Sequence, residues 1–134
     1  MFLIRFDACN RELLNIASIG FVLYYESTIL WKHKAILHNS KNSNYAEYKA
    51  LISALKFALD FNIQYLYIEG DAKIVIDQIK QICNTRSESV KPLLKEVNEL
   101  KSKFQFIEFE HIYRKNNIYA DSLANSALHS YFEN

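Results

Sequence analysis

The sequence contains few of the residues that close tight turns or crosslink a fold. Among its 134 residues are two glycines, one proline and two cysteines. Because so few residues suit positive backbone φ, we expect Asn, Asp and Ser to form most turns. Cys9 and Cys83 lie far apart, without the Cys-x-x-Cys or His-pair spacing of a zinc site. We therefore expect a reducing compartment and thiols without a functional role.

Long apolar runs and a strong charge of one sign are also missing. No apolar segment approaches membrane-spanning length, and residues 1–6 lack the apolar core and cleavage site of a secretory signal. We therefore expect a cytoplasmic or otherwise intracellular protein with no membrane partner. The formal net charge of +1 does not by itself suggest a nucleic-acid ligand, since proteins that bind mainly through phosphate contacts usually show a basic excess.

The composition that remains is typical of a globular domain, with 50% hydrophobic and 23% charged residues. The length suits one domain, residues 1–134, which can bury a core without disulfides. No repeat or linker divides it.

The spacing of hydrophobic residues predicts the element order βββαβααβα. Strands are expected at 1–7, 19–25, 28–37, 65–68 and 104–109, with helices at about 44–61, 74–82, 88–103 and 118–132. A polar break at 10–15 follows the first strand, and residues 114–117 form a polar loop. Strand-helix-strand units imply right-handed crossovers, so we expect an α/β fold: a five-stranded mixed sheet with helices on both faces.

Two carboxylates interrupt otherwise apolar helix stripes. Glu47 shares its side of a helix with Leu51 and Leu55, and Asp121 shares its side of the last helix with Ala124. A lone buried carboxylate there would be costly. Either residue alone is equally explained as a first-turn acid that benefits from the helix N-terminus.

Two further acids, Asp7 and Asp71, are expected at strand ends, on the edge of an α/β sheet where ligands commonly bind. Each alone would be an ordinary turn acid. If all four acids converged, their repulsion would be relieved by divalent cations, and a site of oxygen ligands favours Mg²⁺ or Mn²⁺ over zinc. The spacing therefore indicates metal-assisted phosphate chemistry.

Five segments resemble type 1 ribonuclease H, including its plant and archaeal relatives, across nearly the whole chain. They are Phe6-Asp7, Asn44–Tyr48, Gly70–Val75, His111–Arg114 and Asn117–Asn125. The resemblance implies an endonuclease that hydrolyses the RNA strand of RNA/DNA hybrids and leaves 5′-phosphate and 3′-hydroxyl ends. It implies a monomer with no obligatory protein partner.

The resemblance also implies roles for individual residues. Two Mg²⁺ or Mn²⁺ ions would bind the catalytic carboxylates, with Asp7 as the bridge, and a mobile His111 would assist proton transfer or product release. Arg114 would hold a phosphate. The remaining members of the set would contact the hybrid: Asn10, Ser43, Asn44 and Lys73. Simpler explanations stay open for several: a structural strand-end histidine, a solvated arginine, a helix cap at Asn44 and a helix-surface lysine.

Three features depart from the family pattern. Asp7 is followed by residues 8–15 without the glycine-rich turn of many relatives, the region 80–103 lacks a basic protrusion, and Ala72 replaces a serine that commonly follows the aspartate. Without the protrusion, we expect substrate affinity that is weak or that depends on a partner. The alternatives are a noncatalytic ribonuclease H-like module that binds nucleic acid or protein, and a nuclease that acts on double-stranded RNA or on RNA primers at a DNA junction.

Overall fold

A five-stranded mixed sheet forms the centre of the computed structural model, which describes residues 1–133 apart from the side chain of Glu12. The strands are β1 (Phe2–Arg11), β2 (Ile16–Tyr25), β3 (Thr28–His38), β4 (Tyr65–Gly70) and β5 (Phe106–His111). Strand β1 pairs antiparallel with β2 and parallel with β4; β2 also pairs antiparallel with β3, and β4 pairs parallel with β5. The spatial order is therefore β3-β2-β1-β4-β5.

Four α-helices pack on this sheet: α1 (Ser43–Asp60), α2 (Lys73–Ile79), α3 (Lys91–Lys101) and α4 (Ile118–Glu133). Helix α1 covers the face that carries Ile4, Phe6 and Phe21, whereas α4 lies against Ser18 and Gly20 of β2. Because successive strand residues point to opposite faces, α1 and α4 lie on opposite sides of the sheet. The predicted fold class and element order are confirmed. Within residues 1–133, no helix is long and apolar enough to cross a membrane.

Several predicted boundaries were wrong, and β1 matters most for the site. The expected break at 10–15 is instead the end of β1 followed by a 3₁₀ turn, Glu12–Leu14. Pairing continues to Arg11 opposite Ile16, because the backbone ladder with β2 does not depend on side-chain polarity. Helix α2 stops at Ile79 rather than 82, and Gln81 adopts a φ of 64° just beyond it. Asn15, Asn39 and Asn62 also have positive φ, as the scarcity of glycine predicted.

Both glycines permit close packing beside the candidate site. Gly20 lies opposite Asp7, and a Cβ there would lie 3.0 Å from Leu123 Cβ, so its absence lets α4 approach β2. Gly70 lies opposite Phe6, whose ring would be 2.5 Å from an added Cβ. Because Gly20 and Gly70 lack side chains, the backbone segments around Asp7 can lie close together.

Candidate metal centre

Three carboxylates meet just beyond the parallel pairing of β1 with β4. The last pair is Phe6 with Gly70, so Asp7 and Asp71 are the next residues on two neighbouring strands. Glu47 is the fifth residue of α1 and reaches the same place from its second turn, not the first turn. One carboxylate oxygen from each of Asp7, Glu47 and Asp71 lies within 4.8 Å of the others.

Asp121 borders this cluster without joining the set of three. It lies in the first turn of α4, and its side chain forms a hydrogen bond with Asp7 that favours the protonated form of Asp7. Its Oδ1 atom lies 3.6 Å from Nη2 of Arg114. The close approach of α4 to Gly20 therefore brings a fourth carboxylate to the outer side of the site.

Burial makes the charged form of two of these acids unfavourable. Asp7 is 4% exposed, and burial, followed by the charge of Asp71, raises the pKa of Asp7 to about 7 despite a hydrogen bond from the Ala8 N–H. Burial also raises the pKa of Glu47 well above its usual range, and the charges of Asp7 and Asp71 add to this effect.

The arrangement fits a divalent cation. All the donors are carboxylate oxygens, which hard cations such as Mg²⁺ prefer. In addition, Oε1 of Glu47 is buried without a hydrogen-bond partner. An unpaired buried oxygen is costly, and a cation beside it would satisfy it and favour the ionised carboxylates. Asp7, Glu47 and Asp71 can therefore hold a metal ion.

Comparison with known proteins agrees with this geometry. A model described as reverse transcriptase-like matches residues 5–127. The chain belongs to this family. It is 30% identical to ribonuclease HI of Halobacterium salinarum over 92% of its length, and 31% identical to the bifunctional protein Rv2228c of Mycobacterium tuberculosis over 93%. The chain spans 62% of the first relative and 35% of the second.

Several solved structures share the architecture of this chain. The RNase H1 of Halobacterium salinarum superposes with a TM-score of 0.92 at 29% identity, covering 96% of this chain and 98% of that one. The N-terminal RNase H domain of Rv2228c gives 0.89 at 28% identity, covering 96% and 94%. LC11-RNase H1 in complex with RNA/DNA hybrid has the same fold, with a TM-score of 0.91 at 24% identity and coverage of 98% and 99%. The resemblance to type 1 ribonuclease H is confirmed.

The other residues that the family resemblance singled out lie around the cluster at different depths. His111 ends β5 beside Gly70, is half-buried, and makes an edge-on ring contact with Tyr113 at 5.7 Å. Arg114 is 80% exposed and faces Asp121. Lys73 is exposed at the start of α2, where it forms an ion pair with Asp77 at 2.6 Å. That pair accounts for Lys73 as an ordinary helix-surface residue.

The expected hybrid-contacting residues near the start of α1 form a polar group. Asn10 and Ser43 line one groove, and Oδ1 of Asn10 accepts a hydrogen bond from Ser40 at 2.6 Å while its Nδ2 is buried without a partner. The helix cap is Asn42, whose side chain accepts from the Tyr45 N–H at 2.8 Å. Asn44, in the first turn, is therefore not needed as the cap.

Sequence reasoning missed Asn117. The sequence pattern predicts a polar loop at this position, yet Asn117 is 1% exposed and its Nδ2 donates to Oδ2 of Asp71 at 3.1 Å. The available signal was the position of Asn117, four residues before Asp121 and directly before the predicted last helix. Asn is common at the position before a helix, where its side chain bonds the first turn.

Proposed function

We propose that this chain is an endoribonuclease that hydrolyses the RNA strand of RNA/DNA hybrids, leaving 5′-phosphate and 3′-hydroxyl ends. The observation that carries the proposal is the cluster of Asp7, Glu47 and Asp71 within 4.8 Å, in a chain that resembles a curated ribonuclease HI. We further propose that residues 1–134 act as a monomeric single domain. The four acids of the proposed site all come from one chain, which supports a monomer.

Asp7, Glu47, Asp71 and Asp121 would together hold two Mg²⁺ or Mn²⁺ ions. Ions at such sites supply Lewis acidity that makes a coordinated water more acidic and offsets charge on the leaving 3′ oxygen. The protein's part is to present ionised carboxylates in a fixed arrangement. Burial of Asp7 and Glu47 supports this assignment, since both acids are poorly suited to being charged without a cation.

Substrate recognition would fall to the polar group near the start of α1. Distinguishing RNA from DNA requires donors and acceptors that reach the 2′-hydroxyl. Asn10 and Ser43 line one groove, and Asn44 follows Ser43 in the first turn of α1, which supports these three residues as contacts to the hybrid. Lys73 is the weakest member of the set, because Asp77 already pairs with it. His111, near the end of β5, would assist proton transfer or product release.

Arg114 is expected to contribute to binding rather than to the chemical step. Its guanidinium is exposed and lies 3.6 Å from Asp121, so a phosphate at the site can reach it. We expect Arg114→Ala to raise KM for the hybrid about fivefold, or about 1 kcal/mol as for an exposed ion pair, with kcat nearly unchanged. Steady-state kinetics on a short hybrid measures both. Lys115→Ala, which removes the neighbouring exposed cation, is the matched control; equal effects of the two changes would contradict a specific role for Arg114.

The function itself is tested by cleavage of an end-labelled RNA/DNA hybrid beside RNA and DNA duplexes of the same sequence, with Mg²⁺, Mn²⁺ or a chelator. Cutting confined to the RNA strand of the hybrid, dependent on metal and leaving 5′-phosphates, is the expected result. Tight hybrid binding without cutting in either metal would instead support the noncatalytic module. Comparable cutting of double-stranded RNA would indicate a different substrate for the same site.

A further inference from the structure

Asn117 forms hydrogen bonds at or next to three of the four acids. Its Nδ2 donates to the carbonyl oxygen of Phe6 at 2.9 Å and to Oδ2 of Asp71 at 3.1 Å. The main-chain carbonyl oxygen of Asn117 accepts a hydrogen bond from the Asp121 N–H at 3.1 Å. Phe6 directly precedes Asp7, so one residue links β1, the end of β4 and the first turn of α4.

The orientation of this side-chain amide follows from its partners. A carbonyl and a carboxylate are both acceptors, so the atom between them must be the amide nitrogen. The remaining atom, Oδ1, is then left buried without a hydrogen-bond partner. Burying an unpaired acceptor destabilises a fold, so such a group in a native structure calls for an explanation. The two hydrogen bonds of Nδ2 offset part of this cost, and one of them ends on a carboxylate of the candidate metal site.

The strand pairing alone does not orient the Asp71 carboxylate. Asp71 follows the last residue of β4, and the parallel ladder with β1 ends at Gly70. The strands therefore fix the backbone that leads to Asp71 but not its carboxylate, which lies in a cluster with the acids Asp7 and Glu47. A donor that is itself buried and anchored on Phe6 can hold the carboxylate in one orientation.

We propose that Asn117 is a positioning residue that fixes the Asp71 carboxylate relative to Asp7 and Asp121, so that the set is ready to accept metal. The proposal rests on the proposed function of the same site. Asn117 does not touch the reacting atoms; it acts through Asp71. Removal of the amide should weaken metal binding and slow the chemical step, while the grooves that contact the hybrid stay intact.

The test compares wild type, Asn117→Ala and the matched control Asn116→Ala, which truncates an exposed neighbour in the same turn. The first readout needs no nucleic acid: the Mn²⁺ concentration that produces half of the maximal rise in melting temperature. The second is kcat and KM on the hybrid. For Asn117→Ala we expect a half-point about tenfold higher and kcat about tenfold lower, as for other residues that orient metal ligands, with KM unchanged.

Each outcome decides a separate question. If Asn117→Ala merely melts earlier, with the Mn²⁺ half-point and kcat of Asn116→Ala, the residue is structural and the proposal is overturned. If wild type cuts no hybrid, the proposed function fails, yet the Mn²⁺ half-points still test the positioning role. Should Asn117→Ala not fold, Mg²⁺ titration of ¹⁵N-labelled wild type replaces it: the Asn117 side-chain amide signals should shift, and unchanged signals beside shifted Asp71 signals would overturn the proposal.

Discussion

Asp7→Asn is expected to reduce hybrid cleavage by about 1000-fold or more, because it removes a charged ligand at the centre of the proposed metal site. The same change should raise the melting temperature of the metal-free protein. Asp7 is buried beside Asp71 and Asp121, and its pKa of about 7 reflects the cost of its charge. An Asn side-chain oxygen can still accept the 2.9 Å hydrogen bond from the Ala8 N–H, so the local structure should survive.

Hybrid cleavage and thermal melting, each with and without Mg²⁺, measure these two effects. Asp60→Asn is the matched control, since Asp60 is an exposed carboxylate at the other end of α1 from Glu47. Wild-type activity is expected in the control. Retention of metal-dependent cleavage by Asp7→Asn would contradict the proposed site, and a lower metal-free melting temperature would contradict the stated origin of the raised pKa.

Glu47 and Asp121 were recognisable from sequence because each interrupts an apolar stripe on a helix. The structure confirms the stripes: Leu51 and Leu55 below Glu47 are fully buried, as is Ala124 beside Asp121. Helical periodicity fixes which way a side chain points, so one sequence is enough to find an acid that faces a core. The metal-binding roles of both residues remain predictions.

The strand acids were harder to place, because strand ends are poorly marked in sequence. Asp7 was expected at the end of β1, whereas β1 continues to Arg11 along β2. What ends after Phe6 is the parallel pairing with β4, and it is this pairing that leaves Asp7 beside Asp71. Pairing between distant segments is a tertiary property that a local hydrophobic pattern does not report.

Asn117 shows the same limit for polar contacts. Its partners Phe6 and Asp71 lie 111 and 46 residues away in sequence, so no local pattern could reveal the hydrogen bonds. A polar residue between a strand and a helix is usually a loop residue, and burial of its amide depends on how α4 meets the sheet. The relation to the family located the segment but not this role.

The departures from the family pattern affect the surroundings of the site more than its centre. Ala72 occupies the N-cap position of α2 and provides no side-chain hydrogen bond there. A serine could cap the first turn, so its absence removes a polar group one residue from Asp71 while the cluster itself remains assembled. The intact cluster favours an active nuclease over a noncatalytic module, and the missing basic protrusion favours weak substrate binding.

Stability of the metal-free protein is expected to fall as pH rises from about 4 to about 7. The pKa of Asp7 is raised from 3.8 to about 7 on folding, and that of Glu47 is also raised, so the folded state binds more protons than the unfolded chain in this range. Their stabilising contribution is complete below the unfolded pKa and is lost as pH rises through the folded pKa. For Asp7 the full shift of about three pKa units corresponds to a loss of about 4 kcal/mol, at 1.36 kcal/mol per pKa unit. Denaturant unfolding in a chelator, at about pH 5 and about pH 7.5, measures the effect.

Subtracting the values for Asp7→Asn removes the titration of remote groups, so the stability advantage of that variant should grow with pH. Saturating Mg²⁺ should suppress the trend in wild type, because a bound cation favours the ionised carboxylates. An advantage that stays constant across this range would show that Asp7 titrates alike in the folded and unfolded states.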